Sequence, residues 1–226
     1  MSMILALETS GNEFSVALIQ DKRIIAFEAF EGERRQEQLL MPAVEKLLSR
    51  CNIQPSSLTA IAAGSGPGSY TGLRIGMAFA SGFAFANRIP LIPVGTLENM
   101  AFQIQESCPD ASALLVVMEA RKEEFFLASW SRDFKTTFIE PACHPIQEIP
   151  GLLKEIPVNQ LLACNISASP VIVSLSSDTP VTFYDVKADA RNVALMASEK
   201  WQEGGISTLG SDEPDYLKPV YISVKK

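Results

Sequence analysis

The 226-residue sequence predicts an α/β fold, and three observations carry that expectation. Short apolar or alternating runs of strand length are interleaved with longer runs whose apolar residues recur every three to four positions. One strand-like run, "LTAIAAG", passes through a glycine-rich loop directly into a helix-like run. A second series of strand-like runs opens at Leu114, after the first series has closed with a helix.

Taken in order, Ile4–Glu8, Phe14–Ile19 and Arg23–Phe30 are strands separated by "TSGNE" and "QDK", which read as turns. From Glu33 to Cys51 the residues Leu39, Leu40, Ala43, Val44, Leu47, Leu48 and Cys51 fall at helical spacing, and Asn52 is placed to end that helix. "LTAIAAG" is a buried strand, Gly72–Arg88 a helix, "PLIPVG" another strand, and a helix starts at Leu97 with Thr96 as its cap. Leu114–Met118, Phe125–Trp130 and Lys135–Glu140 repeat the three-strand opening, with "EARKE" as the first turn. In each half an acid, Glu8 or Glu119, closes the first strand. Beyond Pro141 the prolines of "ACHPIQEIPGLLKEIPVNQ" suggest loop with at most a short helix. Val171–Leu175 and Val181–Val186 read as strands, and Ala188–Trp201 as a last helix ended by Gly204 and Gly205. The tail "SDEPDYLKPVYISVKK" is polar with aromatic anchors and is expected to lie over the surface.

A hydrophobic content of 47% suffices for a full core, while 19 Lys+Arg against 26 Asp+Glu leave a net charge of -7, which disfavours nucleic acid as the sole partner. "MSMILALETSG" lacks a basic flank and a long apolar run, so it reads as a buried strand rather than a signal peptide. No span is long enough for a membrane helix. Cys51, Cys108, Cys143 and Cys164 are scattered and form no CxxC pair, which argues against a zinc site or a disulfide framework and for a reducing cytoplasm.

Four features are candidate sites. The glycine loop before the Gly72 helix offers free backbone N–H groups to an anion, with Gly66, Gly68, Ser69 and Thr71 as phosphate contacts or caps. It lacks the GK[ST] ending of a P-loop, and glycines 64, 66, 68 and 72 miss the GxGxxG spacing, so tight turning and close helix packing are the stronger account of it. Glu8 and Ser10 stand at the carboxyl end of the first strand, where open α/β sheets bind ligands. Ala63-Gly64 at the end of the fourth strand supplies no second acid, which argues against two-metal hydrolysis. His144 is the chain's one histidine, so no HxxxH or HExxH metal pair forms, and nothing frames a nucleophile around it. The Gly72–Arg88 helix is apolar on all sides, and such a helix must be covered on all sides. In a half of about 100 residues one face remains, to be covered either by another polypeptide or by the chain's own second half.

At "GSGPGSYTGLRIG" the sequence resembles the TsaB (YeaZ-like) family, with further matches at "ILALETS", "SVAL", "QLLMPAVEKLL", "PVGTLENMA", "EARKEEFF" and "PDYLKPVYI". The resemblance implies two tandem ribonuclease H-like domains of the actin-like ATPase superfamily. Residues 1–105 would form the first, carrying the glycine loop and the dimerisation helices, and residues 106–226 a smaller, divergent second. It implies a non-catalytic role in making threonylcarbamoyladenosine beside the anticodon of transfer RNA, with tRNA contacted indirectly. TsaD, which holds a metal through HxxxH and transfers the threonylcarbamoyl group, would be the heterodimer partner, and the ATPase TsaE a third subunit. Family members pair through the first two helices, so a homodimer is expected when the chain is alone. Leu40, Val44, Arg74, Met77, Phe79 and Phe83 are the contact candidates, chosen without knowledge of which face points outward. Glu8 and Glu119 stand where the superfamily has Asp, Gln36 lies near where many relatives carry His, and "ACNISASPVIVS" shows no second glycine loop. No cofactor is therefore required. ATP or ADP enters only in the alternative, a stand-alone ATP-binding enzyme or ATPase using Glu8, Ser10 and the Ser69–Thr71 loop.

Overall fold

The structure, a computed structural model, describes residues 2–31, 35–105, 111–156, 160–164, 181–204, 214, 216 and 217. The expected strand Val171–Leu175, Cys108 and most of the tail lie outside the described residues. The chain divides into two compact units: Met1–Asn99 with Ala188–Pro214, and Met100–Lys187 with Asp215–Lys226.

In the first unit β1 (Met3–Glu8), β2 (Phe14–Gln20) and β3 (Arg23–Phe30) form a meander, followed by α1 (Gln36–Arg50), β4 (Ala60–Gly66), α2 (Tyr70–Asn87) and β5 (Leu91–Gly95); α3 (Thr96–Ile104) starts in this unit, and from Met100 on belongs to the second. The sheet order is β3-β2-β1-β4-β5, antiparallel through the meander and parallel from β1 to β4 and β5. Strands β1, β2 and β4 are buried almost throughout, so the sheet needs cover on both faces. On one face Leu5, Leu7, Val16, Leu18, Ile61 and Ala63 pack with Leu40, Val44 and Leu47 of α1 and Met77, Ala80 and Ala84 of α2. By strand alternation Ile4, Ala6, Ala17, Ile19, Ala60 and Ala62 point the other way, and they too are buried.

Their cover is α5 (Ala190–Gln202), which packs across β1, β2 and β4 with Ala190, Val193, Ala194 and Ala197 buried. A division at residue 105 leaves this face bare. The last helix instead returns to the first unit, because alanines on both surfaces let helix and sheet approach closely. Asp189 caps it, accepting from the backbone N–H groups of Arg191 and Asn192. Ala190 N donates to Ser15 Oγ at 2.9 Å, and the Ser198 hydroxyl donates to the Asp21 carbonyl.

The starts of α2 and α3 differ from expectation in their caps. Helix α2 begins at Tyr70 because Ser69 is its cap, with Ser69 Oγ accepting from Gly72 N at 3.3 Å. Thr96 is the first residue of α3 rather than its cap, and its buried Oγ1 has no partner.

The second unit contains β6 (Ala113–Arg121), β7 (Glu124–Ser131), β8 (Thr137–Pro145), α4 (Ile149–Leu153), β9 (Gln160–Cys164) and β10 (Val181–Asp185). Its sheet order, β10-β9-β6-β7-β8, repeats the pattern of the first, with an antiparallel meander and two parallel strands. The core joins Leu115, Val117, Phe125, Leu127 and Ile139 to Ile149 and Leu153 of α4. Strand β6 runs on through Arg121, which pairs with Glu124, so the turn is only Lys122 and Glu123, with Glu123 at φ 64°. Strand β8 continues through Pro141 to Pro145 where loop was expected. It is the edge of its sheet, and an edge strand tolerates residues that cannot donate to a neighbour. Strand β9 is not among the strands expected from the sequence.

Candidate functional site

Strand β1 delivers Glu8, Thr9 and Ser10 to its carboxyl end, and all three are buried. Glu8 is 2% exposed; its Oε1 accepts from Ser10 N at 2.7 Å and its Oε2 from Asn99 Nδ2 at 3.4 Å. Burial pushes the Glu8 carboxyl above its ordinary value of 4.5, opposed by hydrogen bonds from Ser10 and Thr9 and reinforced by the Asp189 charge.

Four glycines, Gly64, Gly68, Gly72 and Gly76, are sockets for this turn. A Cβ on Gly64 would sit 2.5 and 2.7 Å from the Glu8 carboxylate oxygens, and one on Gly68 would sit 2.5 Å from the Ser10 carbonyl oxygen. A Cβ on Gly72 would overlap the Thr9 carbonyl, and one on Gly76 would overlap Thr9 Oγ1. Gly66, at φ 119°, meets a backbone requirement that other residues rarely satisfy. Ser69 N donates to the Ser10 carbonyl at 2.7 Å, and Ser69 Oγ is spent on the α2 cap. The structure therefore brings Glu8, Ser10, Gly68 and Ser69 together, with Ser10 hydrogen-bonded to both Glu8 and Ser69. Thr71 lies exposed on the first turn of α2.

The sequence-selected contact residues divide into three groups. Leu40, Val44 and Met77 are 2%, 1% and 1% exposed and belong to the first unit's own core, so they are not available to a partner. These side chains are on the sheet-facing side of their helices. Phe79 and Phe83 are half-buried against that core and stack on each other at 5.9 Å, while Arg74 is exposed. The outward side of α2 carries Thr71, Arg74, Ala78, Gly82, Phe85 and Ala86, and Phe85 is 81% exposed. Arg74 Nη1 donates to Tyr70 Oη at 2.8 Å, and its guanidinium lies 5.3 Å from that ring's centroid. Met41, on the adjoining α1, is 49% exposed. Sequence reasoning missed Phe85, although stepping 100° per residue from Leu73, Met77, Ala80 and Ala84 would have set 74, 78, 82 and 85 on the opposite side.

Two other residues are ordinary in place. His144 Nδ1 lies 3.3 Å from Glu148 Oε2, and Gln36 Nε2 donates to the Gly11 carbonyl at 3.4 Å. Sequence reasoning also missed Asn99, wholly buried, which joins Glu8 to the start of α5.

The profile of the TsaD family, tRNA N6-adenosine threonylcarbamoyltransferase, matches residues 31–209. The tRNA threonylcarbamoyladenosine biosynthesis protein TsaB of Escherichia coli is 37% identical over 131 residues, covering 58% of this chain and 55% of that protein. TsaB of Bacillus subtilis is 38% identical over 98 residues, covering 43% of each. The chain belongs to the TsaB (YeaZ-like) family. The matched region spans about half the length of these curated relatives. A Pseudomonas aeruginosa protein with similarity to peptidase YEAZ superposes with a TM-score of 0.82 at 25% identity, over 96% of this chain and all of that one. The ROK hexokinase of Thermus thermophilus shares the fold alone, with a TM-score of 0.52 at 12% identity over 89% of this chain and all of that one. The fold of this TsaB-family chain is that of the actin-like ATPases. No helix among the described residues is long and apolar enough to cross a membrane.

Proposed function

We propose that this chain is a cytoplasmic, non-catalytic scaffold subunit in the making of threonylcarbamoyladenosine on tRNA. Its role is to pair with TsaD through α1 and α2, and with a second copy of itself when TsaD is absent. TsaE joins as a third subunit, and tRNA is reached through the partners. The observation that carries this reading is the outward side of α2, where Phe85 is 81% exposed on a helix whose residues from Ile75 to Ala86 are all small or apolar. Relatives named TsaB biosynthesis proteins support the pathway, and the repeated strand order supports a reading of both units as ribonuclease H-like.

A binding rather than chemical role fits the chain's own residues. One histidine cannot form HxxxH, and in the glycine loop Ser69 N is engaged by the Ser10 carbonyl and Ser69 Oγ by Gly72 N. The reading requires no nucleotide on this chain.

The test is co-purification of this chain with TsaD from the same cell, followed by reconstituted tRNA modification with and without it. Modification that depends on the chain, and is lost with Phe85→Glu, is the expected result. Full modification without the chain, or ATP turnover by the purified chain alone, would overturn the reading.

A further inference from the structure

Asn99 is the last residue of the first unit before the chain leaves it, and Ala188 is where the chain returns. The Asn99 side chain, 0% exposed, ties these two crossings together. Its Oδ1 accepts from Asp189 N and from Asn192 Nδ2, each at 3.3 Å, while its Nδ2 donates to the Asp189 carbonyl at 3.0 Å and to Glu8 Oε2 at 3.4 Å. The start of α5 is thus gripped largely by its backbone, and the remaining hydrogen of the same amide reaches the end of β1. Water has no access to this amide, so a partner that moves away is not replaced.

On its other side Glu8 belongs to a turn that has no clearance from α2. Ser10 N donates to Glu8 Oε1 at 2.7 Å, and the Ser10 carbonyl accepts from Ser69 N, at the cap of α2, at 2.7 Å. The places a Cβ would take on Gly72 and Gly76 are filled by the Thr9 carbonyl and Thr9 Oγ1. Helix and turn must therefore shift together, because close-packed atoms transmit a displacement rather than absorb it. A continuous line of contacts runs from α2 through Thr9 and Ser10, Glu8 and Asn99 to Asp189. The shared sheet is a second route between the helices, since α2 packs on β4 and α5 packs across β1, β2 and β4. That route acts along the length of α5, whereas the Asn99 route ends at its first turn.

We propose that Asn99 is a positioning residue that couples α2 to the first turn of α5: a shift of α2 against the Glu8–Ser10 turn loosens the start of α5, and anything that holds α2 in place tightens it. The coupling is a property of the isolated chain. Its use in docking rests on the pairing of α2 with TsaD, and would carry that pairing to the point where the chain re-enters the first unit.

Hydrogen exchange on the full chain reads amides 189–194 at the start of α5 against amides 198–200 further along it, where the Ser198 hydroxyl holds the Asp21 carbonyl. Gly76→Ala, which drives a methyl group onto Thr9 Oγ1, should speed exchange at 189–194 by about tenfold or more relative to 198–200. Glu8→Ala cuts the line while leaving the three bonds between Asn99 and α5 in place, and in that background Gly76→Ala should add less than about threefold. Asn99→Ala makes the cut from the other end and carries the test if Glu8→Ala does not fold. Equal acceleration along all of α5, or undiminished acceleration by Gly76→Ala in the cut chain, would overturn the coupling. In complex with TsaD, amides 189–194 of the parent chain should slow by about threefold or more. Pairing that leaves them unchanged would overturn the coupling and leave the scaffold reading standing. A lack of pairing would overturn the scaffold reading, and the variant cycle would still decide the coupling.

Discussion

Replacing Phe85 with glutamate separates the outward side of α2 from the fold beneath it. Phe85 is 81% exposed, so Phe85→Glu should change the stability of the isolated chain by no more than about 0.5 kcal/mol. Association should respond very differently. Each Phe side chain buried at an interface contributes roughly 1.5 to 3 kcal/mol, and a two-fold pair buries two of them, for about 3 to 6 kcal/mol in all. At about 1.4 kcal/mol per factor of ten, the homodimer should weaken by roughly 10²- to 10⁴-fold, and a heterodimer, which buries one copy, by roughly the square root of that. Sedimentation velocity over a concentration series gives the dissociation constant, and thermal melting of the same samples gives the stability. Met77→Ala is the contrast: Met77 is 1% exposed in the core, so its loss should cost about 2 to 5 kcal/mol of folding with no direct effect on pairing. An unchanged dissociation constant for Phe85→Glu would refute the argument. A melting temperature falling as far as that of Met77→Ala would refute it as well, because the side chain would then be serving the fold.

The glycines of α2 give two further expectations. Gly76→Ala places a methyl group on Thr9 Oγ1, so it should destabilise the chain by about 1 to 3 kcal/mol; adding Thr9→Ala should recover most of that loss in a double-mutant cycle by denaturant unfolding. Gly82→Ala meets nothing within 4 Å and should stabilise the isolated chain by about 0.5 to 1 kcal/mol while weakening its self-association at equal pH and salt.

Much of the first unit was legible because its strands and helices have unmixed periods. The runs at Ile4, Phe14, Arg23 and Leu91 gave strands, and Asn52, at φ 55°, ends α1 where expected. What the sequence concealed was long-range cover. Sequence position places Ala188–Trp201 with the second half, yet β1 and β2 are buried on both sides and α1 and α2 share one of those sides, so a third helix had to come from elsewhere. The second unit was harder, since prolines at 141 and 145 read as loop unless it is known that β8 is an edge. At the site, residue types were identified but directions were not. Met77 and Phe85 are both large and apolar on one helix, and only the position of the sheet separates the side facing the core from the side facing away.

The glycine motif itself shows why composition cannot assign a ligand. Gly64, Gly68, Gly72 and Gly76 are each explained by an atom of the Glu8–Ser10 turn occupying the place of a side chain, so phosphate is not needed to account for any of them. Gly82 has no such account. It lies inside α2, where glycine costs about 0.5 to 1 kcal/mol relative to alanine, and no neighbour within 4 Å would object to a methyl group. It stands with Ala78 and Phe85 on the side that the sheet does not cover. The inner glycines let a strand turn approach the helix, and the outer one gives the same clearance where none of the described residues fills it. A backbone from another polypeptide, with Phe85 as its apolar anchor, is the occupant that would use that clearance.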